Sequence, residues 1–117
     1  MCIMTLLILL SMIVSKIVTG WSSVFSYRVF FIMSESMEPE IYENQFVIGR
    51  MLSKDKEPET GEIYAYRRKG IIGEKIIIHR LVAVTDDGRY KFKGDNNEVA
   101  DEELVDRGDV GYIIEIY

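Results

Sequence analysis

Cysteine occurs once, at Cys2, so no intramolecular disulfide can form and no cysteine-rich metal site can be assembled. Histidine also occurs once, at His79, the only side chain whose ordinary titration falls near neutral pH. Proline is confined to Pro39 and Pro58, and no acidic residue precedes Glu35. Positive charge is scarce: with Lys16 set aside from the 14 Lys and Arg, the remaining 13 face 19 Asp and Glu, a net charge of −6. Nucleic acid is excluded as a partner on that ground, because neutralising phosphates requires a basic face. With 117 residues there is room for one domain.

What is present divides into two regions. Met1 to Ser15 carries no charge, and the run from Cys2 to Trp21 offers about 20 residues of apolar helix, enough to cross a hydrocarbon core of roughly 30 Å. The expectation is a transmembrane anchor over residues 1–22, with Lys16 reaching the headgroups, Trp21 in the interfacial belt and Gly20 at the exit. Cys2 then serves as a small hydrophobe. A cleavable signal peptide is the competing reading, but no basic segment precedes the apolar core and no small-x-small site follows it. Lys16 and Arg28, both after the core, favour a cytoplasmic C-terminal domain by the positive-inside rule.

From Tyr27 onward the pattern turns to short β runs: Val29 to Met33, Gln45 to Arg50, Glu62 to Arg67, Lys75 to Thr85, Arg89 to Lys93 and Asp109 to Ile116. The expectation is an all-β domain over residues 23–117. Asp87-Gly88 marks a tight hairpin, Gly61 and Gly70 punctuate other turns, and Leu52 to Thr60 reads as a solvated loop.

Three segments hold residues with chemical potential. His79 lies inside Ile76-Ile-Ile-His-Arg-Leu-Val-Ala-Val84; alone, such a histidine is more often structural than catalytic. Ser36 lies in Ser34-Glu-Ser-Met-Glu-Pro39, after an apolar run and before a proline that cannot pair inside a sheet. A hydroxyl at a strand end, with its own amide beside it, suits a nucleophile, since that amide can help bind the developing oxyanion. The third segment, Lys93-Gly-Asp-Asn-Asn-Glu-Val-Ala-Asp101, begins as a turn and delivers Asp95 and Asp101; it lacks the regular acidic spacing of a calcium loop.

The combination is more specific than any member. Ser36-Met37-x-Pro39, then His79-Arg80 after an apolar strand, then Gly94-Asp95-Asn96-Asn97 with Asp101 behind it, resembles the type I signal peptidases of archaea, the endoplasmic reticulum and some spore-forming bacteria. The resemblance implies an N-terminal helix followed by an antiparallel β domain, and a serine endopeptidase. It implies Ser36 as nucleophile, His79 as general base where housekeeping relatives carry lysine, and Asp101 as the acid that orients the imidazole. Ser34 matches a serine whose hydroxyl joins the oxyanion hole, and alternation along a strand would turn Ser34 and Ser36 the same way. Asp95 matches an acidic position for which turn formation is as good a role as catalysis. The family's glycine between the two serines is Glu35 here, which would be strained if the position required positive φ.

The implied partners are signal peptides of exported preproteins, the lipid bilayer, and secretion machinery or accessory subunits; no cofactor or metal is called for. The substrate would add as a strand beside Phe31 to Met33, with small residues before the cut, and Phe30 to Met33 would rest on lipid. The implied location is a cell membrane, or the endoplasmic-reticulum membrane, with the domain on the export side; this role overrides the weak charge signal. Self-cleaving repressors of the LexA type share the scaffold but use a Ser-Lys pair. The reading of a different class is a membrane-tethered β-barrel binding module in which Ser36, His79 and Asp101 are unrelated.

Overall fold

The computed structural model describes residues 5–10, 26–70 and 73–116. Residues 5–10 are helical, and no helix among the described residues is long and apolar enough to cross a membrane. The anchor expected over residues 1–22 lies mostly outside the described residues.

Six strands follow, one for each β run expected from the sequence: β1 Tyr27–Phe31, β2 Phe46–Met51, β3 Ile63–Gly70, β4 Gly73–Val84, β5 Tyr90–Lys93 and β6 Val110–Glu115. They form one antiparallel sheet in the order β1-β2-β6-β3-β4-β5. The β4–β5 hairpin turns at Asp87-Gly88, where Gly88 has φ of 81°; a side chain there would be strained, so the Asp-Gly signal has its usual physical basis.

Period-two alternation decides the packing. On β1, Phe30 points inward while Tyr27, Val29 and Phe31 point out. β3 is central, and both its faces are covered. Ile63 and Ala65 join a cluster with Phe30, Ile32, Met37, Ile41, Val47, Tyr112 and Ile114. Tyr64 and Tyr66 join a second cluster with Leu52, Leu81, Tyr90, Phe92, Val105 and Val110. A strand sandwiched between two half-cores reads as a continuous buried run, which is why Ile63-Tyr-Ala-Tyr66 shows no alternation of polarity.

The sheet coils far enough to bring its two ends together. The segment after β1 meets the turn after β5: Asn96 donates its backbone N–H to the Ser36 carbonyl at 2.8 Å, and its side-chain amide donates to the Glu35 carbonyl at 3.1 Å. Gly94 makes the approach possible, for a Cβ there would lie 2.7 Å from the Ser36 carbonyl oxygen and 2.6 Å from Asn97 Nδ2.

Candidate active site

Strand pairing of β1 with β2 ends at Ile32, which exchanges backbone hydrogen bonds with Gln45 and Asn44. Residues 34–40 then turn, with Glu38 N–H donating to the Glu35 carbonyl and Ile41 N–H to the Met37 carbonyl. Ser34 and Ser36 therefore sit in a turn and not on an extended strand as alternation suggested, because the chain must leave the sheet before Pro39. Their hydroxyl oxygens still lie 3.1 Å apart. Met37 anchors the turn: it is 2% exposed, packs in the first cluster, and its Sδ accepts the Asp95 N–H at 3.4 Å. Glu35 is exposed and is not among the residues with positive φ, so the strain considered for it does not arise.

His79 lies on β4 directly opposite Tyr64 of β3 and is 7% exposed. Its Nδ1 is 2.7 Å from Asp101 Oδ2, and its Nε2 is 3.1 Å from Ser36 Oγ. A carboxylate only accepts, so Nδ1 carries the proton; Nε2 then presents its lone pair to the Ser36 hydroxyl. Burial opposes the charge on Asp101 and is the largest single influence on it. The hydrogen bonds from His79 and Tyr66, with the nearby positive charge of Arg68, together outweigh burial and hold the carboxyl below the ordinary aspartate range.

Of the five residues singled out from the sequence, Ser34, Ser36, His79 and Asp101 are brought together. Asp95 is not. Both its oxygens are taken by Arg80, at 2.9 Å from Nε and 2.7 Å from Nη2, and Arg80 Nη1 also donates to the Gly61 carbonyl at 2.6 Å. The guanidinium holds Asp95 below the usual carboxylate range. Asp95 thus ties the Gly94–Asn97 turn to the residue after His79, while Asn96 ties the same turn to Ser36.

A groove of about 480 Å³ is lined by Ser34, Ser36 and His79 together with Phe31, Met33, Met37, Lys75, Ile76 and Ile78. Two strand edges border it. β1 pairs with β2 alone, and β4 pairs with β5 only from Arg80 to Val84, leaving Lys75 to His79 without a strand on that side among the described residues.

The sequence model of a family described as Peptidase S24-like matches residues 14–114. The chain belongs to the Peptidase S24-like family. The match spans all six strands and every residue of the Ser36, His79 and Asp101 arrangement. The chain is also similar to "Signal peptidase I W" of Bacillus subtilis (strain 168), with 31% identity over 104 residues, covering 85% of this chain and 53% of that protein. It spans about half the length of this curated relative. Together these matches put this Peptidase S24-like chain in a type I signal peptidase-like family and give it a peptidase's ancestry.

The sequence reading missed two residues of the site. Arg80 stands out in the sequence only as part of a motif. Tyr66, whose hydroxyl donates to Asp101 Oδ2 at 2.5 Å, carries no signal at all; nothing distinguishes it in sequence from Tyr64, its neighbour on the same face of β3.

Proposed function

We propose that this chain is a membrane-bound serine endopeptidase that removes signal peptides from exported proteins after small residues, with Ser36 as nucleophile and His79 as general base. The observation that carries the reading is one imidazole reaching Ser36 Oγ through Nε2 and Asp101 through Nδ1. Such a chain of contacts does what a free serine cannot. As Ser36 Oγ bonds to the scissile carbonyl carbon, its proton passes to His79 Nε2, and the carbonyl π pair moves onto oxygen. Asp101 stays ionised and compensates the imidazolium. The Ser34 hydroxyl and the Ser36 amide serve as donors to the oxyanion, the kind of preorganised stabilisation worth about 10²- to 10³-fold per donor. Collapse breaks the C–N bond as His79 protonates the leaving amine. Water then attacks the acyl-enzyme carbonyl, giving a proton to His79 Nε2, and the ester C–O bond breaks as His79 returns that proton to Ser36 Oγ. Asp95 supports this arrangement from the turn and takes no part in proton transfer.

The groove supports an extended substrate. A peptide lying between the edge of β1 near Phe31 to Met33 and the edge of β4 from Lys75 to His79 would satisfy its backbone groups by strand addition. Met37 and Ile78, the chain neighbours of Ser36 and His79, line the groove with apolar surface, which suits small apolar side chains before the cut.

Membrane attachment is supported by the face that β1 and β2 turn outward. Val29 stands opposite Ile48, and Phe31 opposite Phe46; all four are exposed, as is Met33 at 82%. A contiguous apolar face beside a groove marks an interaction surface, and lipid is its occupant in this reading. Phe30 and Ile32, which the sequence reading grouped with it, face the core. Residues 1–22 would provide the anchor and residues 23–117 the catalytic domain on the export side.

The test is cleavage of a preprotein by the purified chain in detergent, parent against Ser36→Ala. The parent is expected to cut after a small-x-small sequence and the variant to leave it intact. A preprotein bound but uncut by the parent would leave a binding module.

A further inference from the structure

Asp101 lies on the irregular segment between β5 and the bridge of Val105 with Tyr90, so no strand fixes its side chain. Among the described residues its backbone is held by one bond, from its N–H to the Phe92 carbonyl at 2.8 Å. Orientation of the carboxylate therefore depends on the donors it meets, and two of them converge on one oxygen. His79 Nδ1 lies 2.7 Å and Tyr66 Oη 2.5 Å from Asp101 Oδ2.

Tyr66 is suited to hold a carboxylate still. It sits on β3, paired with β4 on one side and β6 on the other, and is 2% exposed. Its ring stacks on Phe92 with centroids 4.3 Å apart and planes at 24°, and meets the His79 ring edge-on at 6.4 Å. Phe92 thus braces both partners, through its ring for Tyr66 and through its carbonyl for Asp101. A buried phenol needs some acceptor, but a backbone carbonyl would serve that need; here the hydroxyl takes the atom that the imidazole uses.

We propose that Tyr66 is a positioning residue for catalysis, acting through Asp101: its hydroxyl fixes the carboxylate oxygen that meets His79 Nδ1 and shares that oxygen's charge. This rests on the Ser36, His79 and Asp101 reading above. Sharing has a chemical consequence. An oxygen that accepts two donors pulls less on either proton, so the Nδ1 proton stays on the imidazole while Nε2 faces Ser36. The other charges facing the pair are Arg68, two residues along β3, which favours the Asp101 anion, and Asp95, whose charge is held by Arg80. Glu103 approaches Arg68 at 3.9 Å.

The test compares the parent, Tyr66→Phe, Asp101→Asn and the double variant in detergent, using a peptide with a small-x-small site. Phenylalanine keeps the ring and its stacking and removes only the donor. Tyr66→Phe is expected to lower kcat about 10- to 100-fold with KM nearly unchanged, as for other groups that orient a reacting ligand from behind. It should also move the acid limb of the kcat profile to higher pH, because the freed oxygen holds the imidazolium proton more tightly. In the Asp101→Asn background the same change should cost nothing further. His79 is the only histidine, so its low-field Nδ1 proton resonance can be assigned directly, and it should move further downfield in Tyr66→Phe. Parent-like kcat and acid limb, or an equal loss in the Asp101→Asn background, would overturn the proposal. If Tyr66→Phe does not fold, the parent decides: the Tyr66 hydroxyl should give a second exchange-protected low-field resonance, and its absence is fatal. Failure of the underlying reading looks different, since Ser36→Ala or Asp101→Asn would then keep full turnover.

Discussion

Replacing Gly94 by alanine tests whether the two ends of the sheet set the reactive geometry. The added Cβ would stand 2.7 Å from the Ser36 carbonyl oxygen, about 0.7 Å inside the 3.4 Å at which ordinary contact begins. Asn97 Nδ2, at 2.6 Å, belongs to a side chain that can swing away; the Ser36 carbonyl is backbone and cannot. It is also the acceptor of the 2.8 Å bond from Asn96 N–H, worth about 1 kcal/mol. Relief therefore moves Ser36 by a few tenths of an ångström to about 0.7 Å, and its Oγ already sits 3.1 Å from His79 Nε2. A misplacement of about 1 Å can cost 10²-fold, so Gly94→Ala should lower kcat by roughly 10- to 100-fold. Stability should fall by only about 1–2 kcal/mol, since no side chain of either core cluster is cut. Cleavage kinetics and urea unfolding on the same preparation separate the two effects. Turnover equal to the parent, with the variant folded, would refute the idea that this contact positions the nucleophile.

Ser36→Ala and His79→Ala should each lower turnover by roughly 10⁶-fold while leaving the fold intact, and the double variant should be little worse, because nucleophile and base act as a unit; near-parent cleavage by His79→Ala would point to Lys75, which also lines the groove. Ser34→Ala should reduce kcat about 10²- to 10³-fold with little change in KM, and Ser34→Thr should recover part of it; an effect on KM alone would make Ser34 a structural turn residue. Asp101→Asn should impair turnover more than Asp95→Asn, and the reverse order in a side-by-side assay would displace Asp101 from its role. Asp95→Asn should instead cost about 1 kcal/mol of stability at pH 7. The Arg80 guanidinium depresses the folded-state pKa of Asp95, so this contribution is full above the unfolded value near ~3.9 and fades as pH falls through the folded one. Urea midpoints of parent and variant should therefore converge below about pH 4, and a gap that persists in acid would show that the ion pair is not its source.

Local pattern was enough to locate the six strands. The short apolar run from Val29 to Met33, the β-branched run around His79 and the Asp87-Gly88 turn are short-range signals, set by backbone sterics and side-chain shape, and they survive folding unchanged. The order Ser34-x-Ser36, His79 and Asp101 stands out only as a combination, through its resemblance to type I signal peptidases; taken singly, each of these residues reads as a turn or structural residue. Tertiary structure decided what two aspartates in one loop do. Asp95 meets Arg80 and Asp101 meets His79 only because the coiled sheet carries the end of β5 back to the turn after β1, and no spacing along the chain encodes that closure. It also decided the part of Tyr66. Tyr64 and Tyr66 share one face of one strand and look alike in sequence, yet Tyr64 Oη accepts the backbone N–H of Glu59 while Tyr66 Oη donates to Asp101. Pattern specifies which way a side chain faces; what it meets there depends on strands distant in sequence, so the partner of a buried polar atom is a property of the assembled fold.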